Sequence, residues 1–162
     1  MTTKITKYTK NSGGTSINGL TIKCCDGLVL VSGSVDITKD RVGLADAVEL
    51  KSQVDHINDE IKRKTAYCPW GVRTVTTPLA PFANETDTCN IGNLVIENRI
   101  DRVSIYGRLE IGGNLAGQAS VTAFKRLVDG IVAVLQADKN LPKMVTIEEA
   151  KEVPNPFDTS CQ

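Results

Sequence analysis

The side chains in this sequence that could take part in catalysis are few and widely spaced. His56 is the only histidine, and it lies in a stretch with helical periodicity, between Asp55 and Ile57. A Ser-His-Asp arrangement requires a histidine beside both a nucleophile and a carboxylate, and a lone histidine on the polar side of a helix does not indicate one. We therefore expect His56 to be solvated and the protein to have no catalytic residues.

Acidic residues occur at matching places in two parts of the chain, Asp36 with Glu110 and Asp55 with Asp129. General acid–base catalysis would require one of these carboxyl groups to have a raised pKa, and nothing in the sequence indicates it. We expect Asp36 and Glu110 on the outward face of two strands, where they could pair across a two-fold axis. Asp55 and Asp129 each follow a lysine by four residues, which predicts an ion pair on a helix surface or at an interface between two halves.

A glycine-rich segment, Gly112–Gly117, loosely resembles a phosphate-binding loop. It has neither the Lys-Ser/Thr pair of a P-loop nor the spacing of a dinucleotide-binding turn, so a turn from strand to helix is the simpler interpretation. Because a helix N-terminus can hold an anion, phosphate or nucleotide binding stays open as an alternative function. We predict no resident cofactor.

The five cysteines, at positions 24, 25, 68, 89 and 161, are an odd number. The first residues are polar and do not form an apolar signal sequence, so we expect reduced thiols. The spacing leaves a Cys68–Cys89 bridge open. No C-x-x-C motif or Cys/His cluster is present, so we predict no metal site.

One alternating apolar and polar pattern occurs twice. Residues 101–111 read DRVSIYGRLEI and residues 27–37 read GLVLVSGSVDI, with a glycine at the same place in each. An offset of 74 positions aligns residues 17–61 with 91–135 without a gap. Twelve positions are then identical: Ile17/Ile91, Leu20/Leu94, Ile22/Ile96, Val29/Val103, Gly33/Gly107, Ile37/Ile111, Gly43/Gly117, Ala45/Ala119, Lys51/Lys125, Val54/Val128, Asp55/Asp129 and Ile57/Ile131. Two copies are too few for a solenoid, so we predict a fused pseudo-dimer.

The repeat divides the chain into five parts. These are a polar N-terminal arm (1–16), repeat unit 1 (17–82), a linker (83–90), repeat unit 2 (91–157) and a short tail (158–162). One unit alone would bury little surface, so we expect the two units to share a core.

Each unit is predicted to have the element order β-β-α-β. The expected strands are 20–23, 28–37, 72–76, 103–111 and 144–147, and the expected helices are 41–63 and 116–137, preceded by N-cap signals at Thr38-Lys39-Asp40 and at Asn114. Gly33 and Gly107 fall on the apolar side of their strands, which suggests a helix crossing closely there. The predicted fold class is α+β, with a pseudo-two-fold antiparallel sheet and two helices on one face.

Charge and hydropathy exclude several classes of partner. The chain has 19 basic and 19 acidic residues, which argues against nonspecific nucleic-acid binding, since that requires a basic surface. No apolar run approaches the roughly 18 residues of a membrane span. We expect a protein with no membrane association and a cytoplasmic location.

The outward faces of the matching strands differ in the two units. Leu28 and Leu30 in the first correspond to Arg102 and Ser104 in the second. A solvated face is one interpretation, but apolar pairs on a sheet face also mark interfaces. We predict six interaction residues: Leu28, Leu30, Trp70, Arg102, Tyr106 and Arg108.

The segment Asp101–Gly107, the helix containing Gly117 and the closing Leu141-Pro142 and Pro154–Phe157 resemble small single-copy proteins encoded by bacteriophages and prophages. The resemblance covers the second unit well and the first unit less, because the first lacks the outward Arg and Tyr. It implies a phage origin and transfers no catalytic residue.

From these observations we expect a non-enzymatic interaction protein that is oligomeric or assembled, in the virion or the host cytoplasm. The leading hypothesis is a virion component, such as a capsid decoration or cement protein or a head–tail or tail component. The alternatives are an inhibitor that binds a host defence complex and a small phosphate- or nucleotide-binding protein.

Overall fold

The computed structural model describes residues 14–25, 27–64 and 79–144. Most of the expected N-terminal arm, the third strand at 72–76, nearly all of the strand at 144–147 and the C-terminal tail lie outside these residues. Trp70 and Cys68 also lie outside them.

The described residues form an α+β structure, as the sequence pattern predicts. It has six strands and two helices. The elements are β1 (Thr15–Ile17), β2 (Leu20–Cys25), β3 (Leu28–Thr38), α1 (Arg41–Lys64), β4 (Thr88–Ile91), β5 (Asn93–Asn98), β6 (Arg102–Ile111) and α2 (Leu115–Ala137). Three strands therefore precede each helix, where the sequence predicts two.

All six strands belong to one antiparallel sheet with the order β1-β2-β3-β6-β5-β4. The two long strands β3 and β6 lie at its centre, and residues 29–38 pair with residues 102–111 in reverse order. Gly33 pairs with Gly107 in the middle of this ladder. The first three strands and the last three therefore meet along β3 and β6.

One hydrophobic core lies between the sheet and the two helices. Alternate residues of β3 and β6 point into it, because side chains of a strand alternate between the two faces of the sheet. Val31 pairs with Leu109 and Val35 with Ile105, and all four are almost completely buried. Val54 of α1 and Phe124 of α2 are fully buried in the same core, so both helices cover the same face of the sheet.

The central glycines are required for a different reason from the one that the sequence suggests. Gly33 and Gly107 have φ angles of 108° and 114°, and no helix lies against them. A Cβ on Gly33 would lie 2.2 Å from the carbonyl oxygen of Gly19, and a Cβ on Gly107 would lie 2.3 Å from that of Asn93. The expected helix crossing is therefore wrong, since the close neighbour of each glycine is the turn of an adjacent hairpin.

The turns of these hairpins explain the two strands missing from the prediction. Ile17 pairs with Leu20 across Asn18-Gly19, and Ile91 pairs with Leu94 across Gly92-Asn93. Asn18, Gly19 and Gly92 all have positive φ angles, as tight two-residue hairpin turns require. Strands β1 and β4 consequently take in residues assigned to the arm and the linker.

Both helices begin with the predicted caps. Asp40 Oδ1 accepts a hydrogen bond from the amide of Gly43 at 2.6 Å, and Asn114 Oδ1 accepts one from the amide of Gly117 at 2.8 Å. These bonds satisfy backbone donors that have no partner within the first turn of a helix.

Candidate interaction surface and the helix-interface ion pairs

The face of the sheet opposite the helices is left uncovered by the other described helices and strands. We define the open face as the even-numbered residues of β3 (28–38) and β6 (102–110), together with Lys23 of β2 and Glu97 of β5. No described helix or strand packs on it. It carries three basic side chains, Lys23, Arg102 and Arg108, and three acidic ones, Asp36, Glu97 and Glu110, so its formal charge is balanced.

The structure places five of the six predicted interaction residues on the open face. Leu28 and Leu30 are half-buried, Tyr106 is 38% exposed and the Arg108 side chain is 61% exposed. The Arg102 side chain is 22% exposed and reaches Asp101. Tyr106 and Arg108 are therefore the predicted residues most accessible to a partner, and the sixth, Trp70, lies outside the described residues.

Hydrogen bonds order the polar side chains of this surface. Tyr106 donates its hydroxyl hydrogen to Glu97 Oε1 at 2.7 Å, which joins β6 to β5. This hydrogen bond raises the pKa of Tyr106, with smaller contributions from burial and from the charge of Glu97. The phenol is therefore held as a neutral donor.

Asp36 and Glu110 lie on the open face but do not pair with each other. Asp36 accepts a hydrogen bond of 2.6 Å from Ser104, its register partner across β3 and β6. Glu110 is bridged at 2.7 Å by Arg108 of the same strand. The expected pairing of these carboxylates is therefore wrong, because the ladder places Glu110 opposite Leu30.

Four charged side chains join α1 to α2 in a closed arrangement that we call the ion-pair ring. Lys51 Nζ lies 3.1 Å from Asp55 Oδ2 and 2.6 Å from Asp129 Oδ1. Lys125 Nζ lies 2.5 Å from Asp55 Oδ1 and 2.9 Å from Asp129 Oδ2. The expected i,i+4 pairs are present within each helix. Each lysine also contacts an aspartate of the other helix, so these residues lie at the interface between α1 and α2 and not only on a helix surface.

The ring shifts the pKa values of Lys51, Lys125 and Asp129 in the directions that favour charge. Hydrogen bonds to Asp129 and Asp55 raise the pKa of Lys51, and the same carboxylates raise that of Lys125. Burial alone would raise the pKa of Asp129, but the hydrogen bonds from Lys51 and Lys125 outweigh it and lower that pKa. All four side chains are about one-third exposed, and a ring of satisfied charges has no unpaired acid or base for catalysis.

His56 is not solvated as expected. The residue is half-buried, and its Nε2 atom is buried without a hydrogen-bond partner. The prediction was wrong because the position of His56 on the helix does not show which side chains pack around the imidazole. Among the described residues neither a nucleophile nor a carboxylate is hydrogen-bonded to this nitrogen, so they form no triad around His56.

Two buried asparagines, Asn98 and Asn58, are not among the residues predicted from the sequence. Asn98 is 1% exposed; its Oδ1 accepts from the amide of Phe82 and its Nδ2 donates to the carbonyl of Ala80, both at 2.8 Å. Asn58 on α1 is 3% exposed, and its Oδ1 has no hydrogen-bond partner. The only sequence signal is a polar residue at an apolar position, of the strand pattern for Asn98 and of the helical pattern for Asn58.

The helix N-termini offer little to an anion. At α1 the carboxylate of Asp40, which is 1% exposed, already receives the amide hydrogen of Gly43, and its negative charge would repel a phosphate. At α2 the cap is the neutral Asn114. Of the two termini, only that of α2 is electrostatically compatible with the phosphate-binding alternative.

Thiols and carboxylates do not form a metal site in the part of the chain that the structure describes. Cys24 is buried in the core, where Asn98 occupies the matching position of the second unit. Cys89 is a free thiol whose pKa is raised by burial, so the bridge to Cys68 that the spacing left open is not formed. Among the same residues, neither helix is both long and apolar enough to span a membrane.

Comparison with protein-family models, with curated proteins and with solved structures finds no match for this chain.

Proposed function

We propose that this protein is a non-enzymatic protein–protein interaction module that binds its partner through the open face. The observation that supports this most directly is the composition of that face, which combines balanced charge with an ordered tyrosine at the centre of the sheet. Tyrosine and arginine are the residue types enriched where proteins bind proteins, and Tyr106 and Arg108 are both exposed on β6.

The open face is not needed to stabilise the sheet. The core lies entirely on the other side, and the open-face hydrogen bonds join exposed side chains. Surface pairs of this kind contribute at most about 1 kcal/mol. The side chains on this face can therefore contact a partner without loss of interactions that hold the sheet together.

We also propose that the sheet arose from two tandem units related by a pseudo-two-fold axis between Gly33 and Gly107. The strand order β1-β2-β3-β6-β5-β4 reads equivalently from either edge, since the 74-position offset relates β1 to β4, β2 to β5 and β3 to β6. The ion-pair ring supports the same axis, because Lys51 and Asp55 meet their own equivalents in α2.

The partner that we favour is a phage capsid or tail protein, which would make this chain a virion component. The resemblance of the second unit to small phage-encoded proteins supports a phage origin, and the lack of an assembled catalytic set among the described residues is compatible with a structural or accessory role.

An inhibitor of a host defence complex is the alternative that uses the same surface. Such a protein would act in the host cytoplasm, and its balanced charge is compatible with a protein target. Phosphate or nucleotide binding at Asn114 and the adjoining Gly112–Gly117 is a third candidate, and the neutral cap of α2 is the one feature that favours it.

The test is affinity capture of the tagged full chain from phage-infected cells, with the recovered proteins identified by mass spectrometry. An Arg108→Ala variant removes an exposed side chain of the open face, and Lys62→Ala removes an exposed side chain of α1 as a matched control. We expect major capsid or tail proteins to be recovered by the wild type and the Lys62 variant and strongly reduced with the Arg108 variant.

Other outcomes of this capture decide against the proposal in different ways. Recovery of a host immune complex without particle proteins would favour the inhibitor. Equal recovery by both variants would show that Arg108 is not part of the binding surface, and specific retention on immobilised phosphate or nucleotide would favour the third candidate.

A further inference from the structure

The outward side of helix α1 carries a residue pattern that is symmetric about one position. In residues 41–49, which read RVGLADAVE, five side chains are exposed and the other four are buried or half-buried. The exposed five are Arg41, Val42, Ala45, Val48 and Glu49. Reversal of the segment about Ala45 therefore exchanges valine with valine and a basic residue with an acidic one.

These five side chains share one face of the helix. Arg41, Ala45 and Glu49 are four residues apart, and side chains at this spacing are neighbours along a helix surface. Val42 and Val48 flank this row and are 49% and 43% exposed, so two apolar side chains are in contact with solvent. The face thus combines exposed apolar area with one charge of each sign.

The two charges on this face do not neutralise each other within one copy. Arg41 and Glu49 are eight residues apart, which is about 12 Å along the helix axis. In the part of the chain that the structure describes, neither side chain takes part in an ion pair or a hydrogen bond. Both charges can therefore pair with a second molecule without loss of a contact in the first.

We propose that two copies of this chain form a dimer in which their α1 helices pack antiparallel across a two-fold axis at Ala45. The axis places Arg41 of one copy at the level of Glu49 of the other, and Val42 at the level of Val48. A two-fold axis repeats every contact, because the same surface is used by both copies. The interface therefore contains two arginine–glutamate pairs and two sets of valines.

The residue types suit this arrangement. Alanine at the axis allows the helix axes to approach to about 8 Å, the short end of the usual range. The four valines are then removed from water, which favours association. The charges fix the orientation, because a parallel pair of helices would place Arg41 beside Arg41 and Glu49 beside Glu49.

The matching face of α2 does not carry the pattern. We define the first half of the molecule as residues 15–64 and the second half as residues 79–144, which the offset of 74 positions relates. The residues of α2 that match the five are Leu115, Ala116, Ala119, Thr122 and Ala123. The central alanine is retained, but no charge is present and Ala123 is buried. Packing of a helix on this sheet therefore does not require the pattern that α1 has.

The proposed dimer leaves the open face accessible. Helix α1 lies on the core side of the sheet, and the open face is on the opposite side. The inference is independent of the proposed function, since it uses none of the open-face residues. If both hold, the dimer presents two open faces to its partners, and binding at both would strengthen attachment.

A single pair of helices makes a small interface. We expect it to bury less than the roughly 1,200 Å² of a stable protein–protein contact, so the dimer should be weak, with a dissociation constant on the order of 0.1 mM. Association should then be evident only in concentrated samples.

Charge reversal tests the symmetry directly. The variant Arg41→Glu has two acidic residues on this face, and the variant Glu49→Arg has two basic ones, so each repels its own copy. A mixed dimer of the two variants is attractive at both pairs. A chain with both substitutions restores attraction between its own copies, and Lys62→Glu reverses an exposed charge of α1 outside the segment as a matched control.

Sedimentation equilibrium measures each chain and the equimolar mixture from about 0.02 to about 1 mM, a range that brackets the expected dissociation constant. We expect dimerisation to be at least about tenfold weaker for each single variant than for the wild type, since like charges at an interface oppose assembly. The mixture, the double variant and Lys62→Glu should dimerise about as strongly as the wild type. Circular dichroism verifies that every chain is folded.

Three results would overturn the proposal. A wild type that stays monomeric up to about 1 mM would show that α1 does not self-associate at the expected strength. A wild-type dimer that both single variants form equally well would lie on another surface. A mixture that dimerises no better than the single variants would exclude the antiparallel pairing about Ala45.

Discussion

Substitution of Gly33 by alanine tests the structural role of the centre of the sheet. Two costs add at this position. An L-residue at a φ of 108° is strained, by about 1–2 kcal/mol. The new Cβ would also lie 2.2 Å from the Gly19 carbonyl oxygen, so that oxygen must move by roughly 1 Å to reach an ordinary contact distance.

The displaced oxygen belongs to a hydrogen bond that will weaken as it moves. Ser34 donates its amide hydrogen to the Gly19 carbonyl at 3.3 Å, and loss of such a bond costs about 1 kcal/mol. We therefore expect Gly33→Ala to lower the free energy of unfolding by about 3 kcal/mol. The equivalent Gly107→Ala should have a similar effect, because Asn93 replaces Gly19 as the close neighbour.

Gly27 supplies the matched control for the strain alone. Its φ is 82°, but a Cβ there would have no neighbour within 4 Å, so Gly27→Ala should cost only about 1–2 kcal/mol. Urea unfolding followed by circular dichroism measures all three variants. Equal destabilisation by Gly27→Ala and Gly33→Ala would refute the argument, because it would show that the hairpin turn does not press on the central strand.

Three further changes test the helices and the loop before β4. Asp129→Asn should make the free energy of unfolding less sensitive to acid in urea unfolding at different pH values. Because the pKa of Asp129 is lowered in the folded state, its carboxylate stabilises the fold at pH values above its ordinary pKa near 3.8, and this stabilisation is lost as the pH falls through the folded-state pKa. An unchanged loss of stability in acid would contradict this. Asn58→Val should raise the free energy of unfolding by about 1 kcal/mol, because it removes a buried oxygen without a partner and copies Val132 at the matching position; destabilisation in thermal unfolding would mean that the amide is needed. Asn98→Ala should cost about 1–3 kcal/mol, since it leaves the buried amide of Phe82 without its acceptor and removes one of the two hydrogen bonds to the Ala80 carbonyl, and limited proteolysis after Leu79 should then accelerate.

Long periodic elements could be predicted closely from the sequence, and short ones could not. The predicted strand 28–37 and helix 41–63 each end one residue short of the structure, because their apolar periods run over many residues. Strand β1 has three residues, of which only Ile17 is buried, so alternation alone could not reveal it. The turn signal Asn18-Gly19 was present and would have indicated the hairpin.

The candidate surface was predictable in position but not in its contacts. Alternation places Tyr106 and Arg108 on the face opposite the core, and that is where they lie. It does not specify the register between strands, whether neighbouring or distant in the chain, so neither the Tyr106–Glu97 bond nor the separation of Asp36 from Glu110 could be foreseen. The same limit applies to the ion-pair ring. The pairs four residues apart within each helix were evident from the sequence, but the contacts between the helices depend on how α1 and α2 pack.

The placement of identical and different residues in the two halves supports the assignment of function to the open face. Eleven of the twelve identical pairs are buried core residues, central-strand or helix-start glycines or members of the ring, and these positions are constrained because the halves must fit one another. On the open face, by contrast, Ser32 and Ser34 stand where the second half has Tyr106 and Arg108. A face that only needed to be soluble would have no reason to concentrate an ordered tyrosine and an exposed arginine in one half. If the proposed binding uses the open face, substitutions at Tyr106 or Arg108 should therefore weaken it more than substitutions at Ser32 or Ser34.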